Sequence, residues 1–336
     1  MTKFFKLIMF STLMMSTLIS ISSYSWMGMW IGLEINVLSM ITIIINQKNK
    51  ISSESAIKYF FTQTIASTSI MFSIIILMKQ IYSSENLIKS FPSLIMNSGF
   101  LMKMGMAPFH FWFPEVLEGL SWLNATIMLT WQKITPMVML MFNIEMSLFF
   151  MVIIVISMLI SSLMAINQIS MRKIMAYSSI NHMGWMLSSM MISQKIWIVY
   201  FIIYSITTIN ITMILNMSNT FYSAQLKLIW NFNPLIKLFF MMNFLSLAGV
   251  PPFIGFLPKW MTIQILSINN LYFMSILMIL TTLIMIYVYL TLIIPSTLMN
   301  STHTSWSQMI SFKHKKTLNL MNFVIINGTI MMTILI

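Results

Sequence analysis

Apolar residues run along this chain in blocks of about 20, cut by short polar or proline-bearing breaks, with no period-two alternation. In hydrocarbon a backbone must satisfy its own hydrogen bonds, so blocks of this length and pattern read as membrane-spanning helices. Hydropathy with polar punctuation predicts about eleven crossings. Their limits are 3–22, 26–46, 55–80, 92–118, 121–143, 147–167, 173–193, 196–217, 235–268, 271–294 and 317–336. The clear polar connections are Ser218–Pro234 and Pro295–Lys316, and no stretch fits a soluble domain. Lys3 and Lys6 ahead of Leu7–Ile21 have the look of a signal peptide, with Ser22 and Ser23 as small residues for cleavage. The many helices that follow favour an uncleaved first span.

Two of the predicted spans are too long for one crossing, contain proline, and resemble each other. One contains Gly105, Pro108, Phe109, Pro114 and Glu115; the other contains Gly249, Pro252, Phe253, Pro258 and Lys259. Aligned without gaps, both read G-x-x-P-F, four residues, then proline and a charge. Proline removes a backbone donor and clashes with the preceding turn, so both helices should be broken within the membrane. Each break falls in the fourth span of a five-span block, 1–143 and 147–294, with 317–336 left as a C-terminal helix. An odd number of spans per block inverts the second relative to the first. The expectation is a single all-α transmembrane domain over 1–336, built as an antiporter-like inverted repeat with two discontinuous helices, the architecture of ion-handling transporters.

Composition agrees with a lipid solvent. Hydrophobic residues make up 58% and charged residues 7%, with a mean hydropathy of +0.88, whereas a soluble surface requires about 25% charged residues. The net charge of +12 does not indicate nucleic acid, because the basic residues lie spread at span ends instead of clustering on one face. They sort by side. Lys3, Lys6, Lys48, Lys50, Arg172, Lys173, Lys227, Lys313, Lys315 and Lys316 fall together, against Lys79, Lys89 and Lys195 opposite. By the positive-inside rule the N-terminus faces the matrix or cytoplasm, and an odd number of crossings sends the C-terminus outside. Cysteine is absent, which excludes thiolate clusters and disulfides. Aspartate is also absent while methionine reaches 40, a bias suggesting an animal mitochondrial gene.

Four ionisable residues break the rule that charges sit at span ends. At the helical rise, Glu34 lies roughly 12 Å into the second span, Lys103 roughly 16 Å into the fourth and Lys133 roughly 18 Å into the fifth. Lys259 follows the second break. Each such charge costs about 2.5–3.5 kcal/mol or more to insert, so the four must be paired, hydrated or partly neutral. Glu34 is the only acid at that depth and is the natural partner for Lys103 or Lys133. A lysine in hydrocarbon holds its proton weakly and a carboxylate beside it strengthens that hold, so a moving partner can load and unload it. The alternative is a static buried ion pair. His110, after the first break, and His182, in the seventh span, are secondary candidates, although a lone helix histidine is more often a packed hydrogen-bonding residue. His303 and His314 lie in a polar connection. Two membrane histidines cannot hold two bis-histidine haems, and there is no Gly-rich phosphate loop and no iron–sulfur cysteine set. Redox chemistry is not in this chain.

Five stretches carry a resemblance: Trp30–Asn36, Lys103–Trp112, Leu129–Lys133, Ala176–Trp185 and Gly255–Trp260. Together they closely resemble the antiporter-like subunit family of NADH:ubiquinone oxidoreductase (respiratory complex I), in its animal mitochondrial, insect-like chain 2 form. The likeness covers essentially the whole chain. It implies the antiporter-like fold, with eleven helices in the shorter animal form. It also implies a proton translocase in the mitochondrial inner membrane, driven by electron transfer from NADH to ubiquinone elsewhere in the complex. Glu34 and Lys103 match the family's modulating pair, Lys133 its bridging lysine, and Lys259 the lysine of the second broken helix. The resemblance further implies no cofactor in this chain, since NADH, FMN, iron–sulfur clusters and ubiquinone are bound by other subunits. The implied partners are other membrane-arm subunits, including antiporter-like neighbours and accessory subunits, and membrane lipids. A stand-alone cation/proton antiporter subunit and a pure scaffold are the competing readings.

Overall fold

The computed structural model describes residues 3–45, 49–80, 90–144, 148–229 and 234–298. The described residues form helices and no strand, with one isolated bridge between Ser170 and Tyr222. The chain divides into two compact units, Met1–Glu145 and Met146–Ile336.

The first unit holds α1 (Lys3–Ser22), α2 (Trp26–Ile44), α3 (Lys50–Gln80), α4 (Ser90–Met104), α5 (Trp112–Gly119), α6 (Trp122–Leu129) and α7 (Trp131–Met141). Here α1 lies along α2, α3 runs beside α4 and α5, and α7 touches both α4 and α1. The second unit holds α8 (Leu148–Ala165), α9 (Met171–Met190), α10 (Gln194–Ser218), α11 (Ser223–Ile229), α12 (Pro234–Ala248), α13 (Phe256–Ile268) and α14 (Tyr272–Leu298). In it α9 is the central element, in contact with α8, α10, α13 and α14.

Lipid tails are as apolar as leucine, so nothing drives large aliphatic side chains inward. Phe4, Leu18, Phe61, Leu148 and Phe273 accordingly face outward, while the interior is rich in small and polar residues such as Ser16, Ser20, Asn36, Ser157, Ser178, Ser179 and Asn210. Buried serines stay satisfied by donating to carbonyls one turn back, as Ser20 does to Thr17 and Ser157 to Ile154, both at 2.8 Å. Small residues let helices approach closely: Gly32 of α2 sits against the backbone of Ser20 of α1, and Gly184 of α9 against Met158 of α8.

The observed helices differ from the predicted spans in three places. Helix α3 begins at Lys50, five residues before 55, because the polar stretch Ser52–Ser55 continues the helix. The span 121–143 is not continuous but interrupted at Thr130, whose φ of −115° and ψ of −70° depart from helical values. The connection Ser218–Pro234 contains the short α11. The segment 317–336 lies outside the described residues, as do Lys48, Lys89, His303, His314, Lys313, Lys315 and Lys316.

Six described helices are long and apolar enough to cross a membrane: α1, α2, α3, α8, α10 and α14. The pieces on either side of each interruption are too short to meet that standard. Helix α9 is long enough but too polar, and its outer surface is covered by protein: every residue from Ile174 to Met190 is buried.

Candidate functional site

Three helix interruptions each carry one buried lysine. At the first, α4 ends on Gly105 with φ +73°, a conformation that costs other residues about 1–2 kcal/mol. The Gly105 N–H donates to Met102 O and the Met106 N–H to Leu101 O, both at 3.1 Å, which closes the helix C-terminus as a Schellman motif. The chain turns through Pro108 and restarts at Trp112, with Pro114 in the first turn of α5, where its missing N–H is no loss. At the second, Gly249 has φ +78°, and Val250 N–H donates to Leu245 O across the same kind of turn. Pro258 occupies the matching first-turn place in α13. The proline motif therefore marks both breaks correctly, and glycine sets where each first half-helix stops.

Lys103 lies in the last turn of α4, 7% exposed, and its Nζ is buried with no hydrogen-bond partner. Glu34 of α2 lies close enough to act on it through space, but the two form no direct ion pair, and Glu34 Oε1 is likewise buried and unbonded. The carbonyls at the end of α4 are served by neutral donors. Trp112 Nε1 donates to Met102 O at 3.2 Å, and Gln63 Nε2 to Lys103 O at 3.4 Å.

Lys133 follows the interruption at Thr130 and is 1% exposed. Its Nζ lies 5.3 Å from the centroid of the Phe113 ring, within cation–π range. Phe113 also packs against Gly105, so this lysine adjoins the first break. Beside it Gln132 donates to Asn36 Oδ1 at 2.9 Å, tying α7 to α2 two residues along from Glu34.

Lys259 lies in the first turn of α13 and is 8% exposed. Its ammonium donates to Ala248 O at 2.7 Å and Leu247 O at 3.3 Å, the open carbonyls at the end of α12. A cation at a helix C-terminus is favoured by the dipole and by these bonds. The same ammonium lies 5.9 Å from the Trp185 ring of α9.

His110, 2% exposed, sits within the first break, its Nδ1 3.4 Å from Pro108 O and its ring against Phe111. His182 is buried on α9 with Nδ1 2.9 Å from the Tyr200 hydroxyl. In the first unit the sequence-predicted residues Lys103, Lys133 and His110 cluster around one break, with Glu34 nearby. In the second, Lys259 and His182 both border Trp185 on α9, one by ring contact and one by chain position.

The profile of the family described as NADH:quinone oxidoreductase/Mrp antiporter, TM, matches residues 23–285. The NADH-ubiquinone oxidoreductase chain 2 of Anopheles gambiae is 45% identical over 326 residues, covering 96% of this chain and 95% of that protein. The chain 2 of Aedes aegypti is 43% identical, covering 98% and 97%. This chain belongs to the NADH-ubiquinone oxidoreductase chain 2 family.

The chain 2 fold has structural relatives well beyond its sequence relatives. A chain of respiratory complex I from Thermus thermophilus superposes with a TM-score of 0.84 at 19% identity, covering 96% of this chain and 77% of the other. A chain of the Mrp complex from Dietzia sp. DQ12-45-1b gives 0.71 at 14% identity, covering 84% and 58%. Two features of this protein escape a reading of its sequence. The interruption at Thr130 carries no proline or glycine within it, since Pro136 lies further along α7. The buried tyrosines Tyr200, Tyr204 and Tyr289 surround α9; the spacing of Tyr200 and Tyr204, one turn apart, is the only sequence signal for them.

Proposed function

We propose that this chain translocates protons across the mitochondrial inner membrane as a core membrane-arm subunit of NADH:ubiquinone oxidoreductase, with Glu34, Lys103, Lys133 and Lys259 as the relay and His110 and His182 as secondary members. The observation that carries this reading is that each of three buried lysines sits at a helix interruption. An interruption exposes backbone carbonyls that a continuous helix would consume. It thereby offers a buried cation polar company and a path for water. Lys259 gives the arrangement its logic. Its ammonium is anchored by two carbonyls while charged, and loss of the proton weakens that anchor and frees the side chain to move. Lys103, buried, and Glu34, half-buried with its Oε1 covered, are not in contact but are placed to respond to one another's charge, so protonation of either changes the cost of the other.

In this reading the chain makes eleven crossings as two inverted five-helix blocks, 1–143 and 147–294, followed by 317–336. The N-terminus faces the matrix and the C-terminus the intermembrane space. Electron transfer belongs to other subunits, which bind NADH, FMN, iron–sulfur clusters and ubiquinone, and no cofactor is assigned to this chain. Antiporter-like neighbours, accessory subunits and membrane lipids surround it. A stand-alone cation/proton antiporter shares the fold but has weaker support, because the chain 2 proteins of Anopheles gambiae, Aedes aegypti and Lemur catta are 35–45% identical to this chain over nearly its whole length.

The test is proton pumping per NADH oxidised in proteoliposomes of the intact complex carrying Lys133→Met. Pumping is expected to fall while uncoupled NADH oxidation persists. An unchanged ratio in a fully assembled complex makes Lys133 structural and removes the relay.

A further inference from the structure

A lysine can reach an open helix end only if the residue that stops the helix leaves room for it. At the end of α12 that residue is Gly249. A Cβ built on Gly249 would lie 2.8 Å from Lys259 Cδ, 3.1 Å from Cε and 3.0 Å from Nζ. Atoms in ordinary contact keep about 3.5–4.0 Å between them, so any side chain at 249 claims space that the lysine already fills. Those three atoms also carry the ammonium to Ala248 O at 2.7 Å and Leu247 O at 3.3 Å. The buried Trp185 ring of α9 lies 5.9 Å from the same ammonium. The lysine is thus seated on a bare glycine, with two carbonyl oxygens and an indole around it.

The start of α13 explains how the lysine arrives there. Its N-cap, Gly255, crosses α12 against the backbone of Ser246, where no side chain could fit. Residues four apart lie on one face of a helix. Lys259, four residues beyond Gly255, therefore meets the chain just beyond Ser246, at Leu247, Ala248 and Gly249.

The first break shares the glycine and lacks the seated lysine. Gly105 has φ +73° and Gly249 φ +78°, and both end a helix in the same kind of turn. The space over Gly105 is filled by Phe113, whose Cβ, Cγ and Cδ2 would lie 2.9–3.1 Å from a Cβ at 105. Left-handed strain on substitution is common to both glycines, whereas only at Gly249, of these two, does the bare face carry a cation. The backbone calls for glycine at both places, and at 249 the lysine calls for it a second time.

We propose that Gly249 is a positioning residue for Lys259: its bare face is the seat from which the ammonium reaches the carbonyls at the end of α12. A side chain at 249 pushes the ammonium off both oxygens while leaving the lysine in the chain. An anchored cation then becomes a displaced one. This inference rests on the reading of Lys259 as a member of the relay.

The experiment uses the intact purified complex and compares the native chain with Gly249→Ala, Lys259→Ala and the two combined. Strain at residue 249 is the same with or without the lysine, so it cancels in such a cycle. Gly249→Ala is expected to lower the thermal midpoint further when Lys259 is present than in the Lys259→Ala background, where nothing is left to displace. If Gly249→Ala fails to assemble, the double variant is expected to restore assembly. Equal drops in both backgrounds, or a double variant that stays unassembled, overturn the proposal. In proteoliposomes Gly249→Ala is expected to lower protons pumped per NADH as far as Lys259→Met does, with uncoupled oxidation retained. A native ratio for Gly249→Ala beside a lowered one for Lys259→Met also overturns it. A native ratio for Lys259→Met removes that lysine from the relay, and the seat is then judged by the midpoint cycle alone.

Discussion

The break between α4 and α5 and the break between α12 and α13 share a backbone and differ in how they treat charge. Both stop on a positive-φ glycine, close with the same pair of backbone bonds, turn through proline and restart with proline in the first turn. In the first, the lysine precedes the break and its ammonium is unbonded, while Trp112 and Gln63 serve the open carbonyls. In the second, the lysine follows the break and serves those carbonyls itself. The position matching Lys259 in the first break is Glu115, which reaches Lys58 of α3 at 3.0 Å on an exposed face. The motif thus specifies where a helix parts, and the residues around it decide whether the cation there is anchored or loose.

The comparison is broken most severely at Gly255. A Cβ there would lie 1.7 Å from Ser246 O, a backbone atom that cannot yield, whereas the matching Phe111 of the first break is 70% exposed. Gly255→Ala is expected to cost on the order of 4 kcal/mol or more and to abolish assembled complex on native gels, while Phe111→Ala assembles normally.

Next in size is the difference between the lysines. Lys259→Met leaves Leu247 and Ala248 carbonyls without their donor and should destabilise the subunit by about 1–3 kcal/mol, read as a lower thermal midpoint of the purified complex. Lys103→Met removes an unbonded buried cation and no hydrogen bond, so its midpoint should be unchanged or higher. Equal losses in both would erase the distinction between anchored and loose. The smallest effect belongs to Glu115→Gln. Its partner Lys58 is solvent-exposed and also held by Glu54 at 2.9 Å, so the thermal midpoint should stay within measurement scatter, and any change should vanish at high salt.

Proline chemistry made both of these breaks legible in the sequence, because the constraint is local. That Lys103, Lys133 and Lys259 are covered by protein follows from the same local reading, since a charge placed by helical rise far from a span end needs such cover. What the sequence did not carry is set by contacts between helices. The interruption at Thr130 has no local cause in residue type. The reading of Glu34 as the partner of Lys103 assumed that buried opposite charges meet. In the structure neither makes that bond, whereas Lys259 donates to backbone carbonyls. The role of the tyrosines around α9 likewise depends on which helix faces which, and periodicity in a chain apolar on nearly every side says little about that.

Helix α9 bears on how the molecule is made. A segment carrying Arg172, Lys173, Asn181, His182 and a run of serines has little to gain from lipid on its own, and buried polar groups need partners before they can rest in hydrocarbon. Partners arrive later in the chain with α10: Tyr200, 2.9 Å from the His182 Nδ1, and Tyr204, whose ring lies 5.1 Å from the imidazole. As the chain emerges from the ribosome, α9 cannot settle as an independent unit. Its polar face is covered only once its neighbours have been synthesised, so α9 is expected to be sealed from water later than α8.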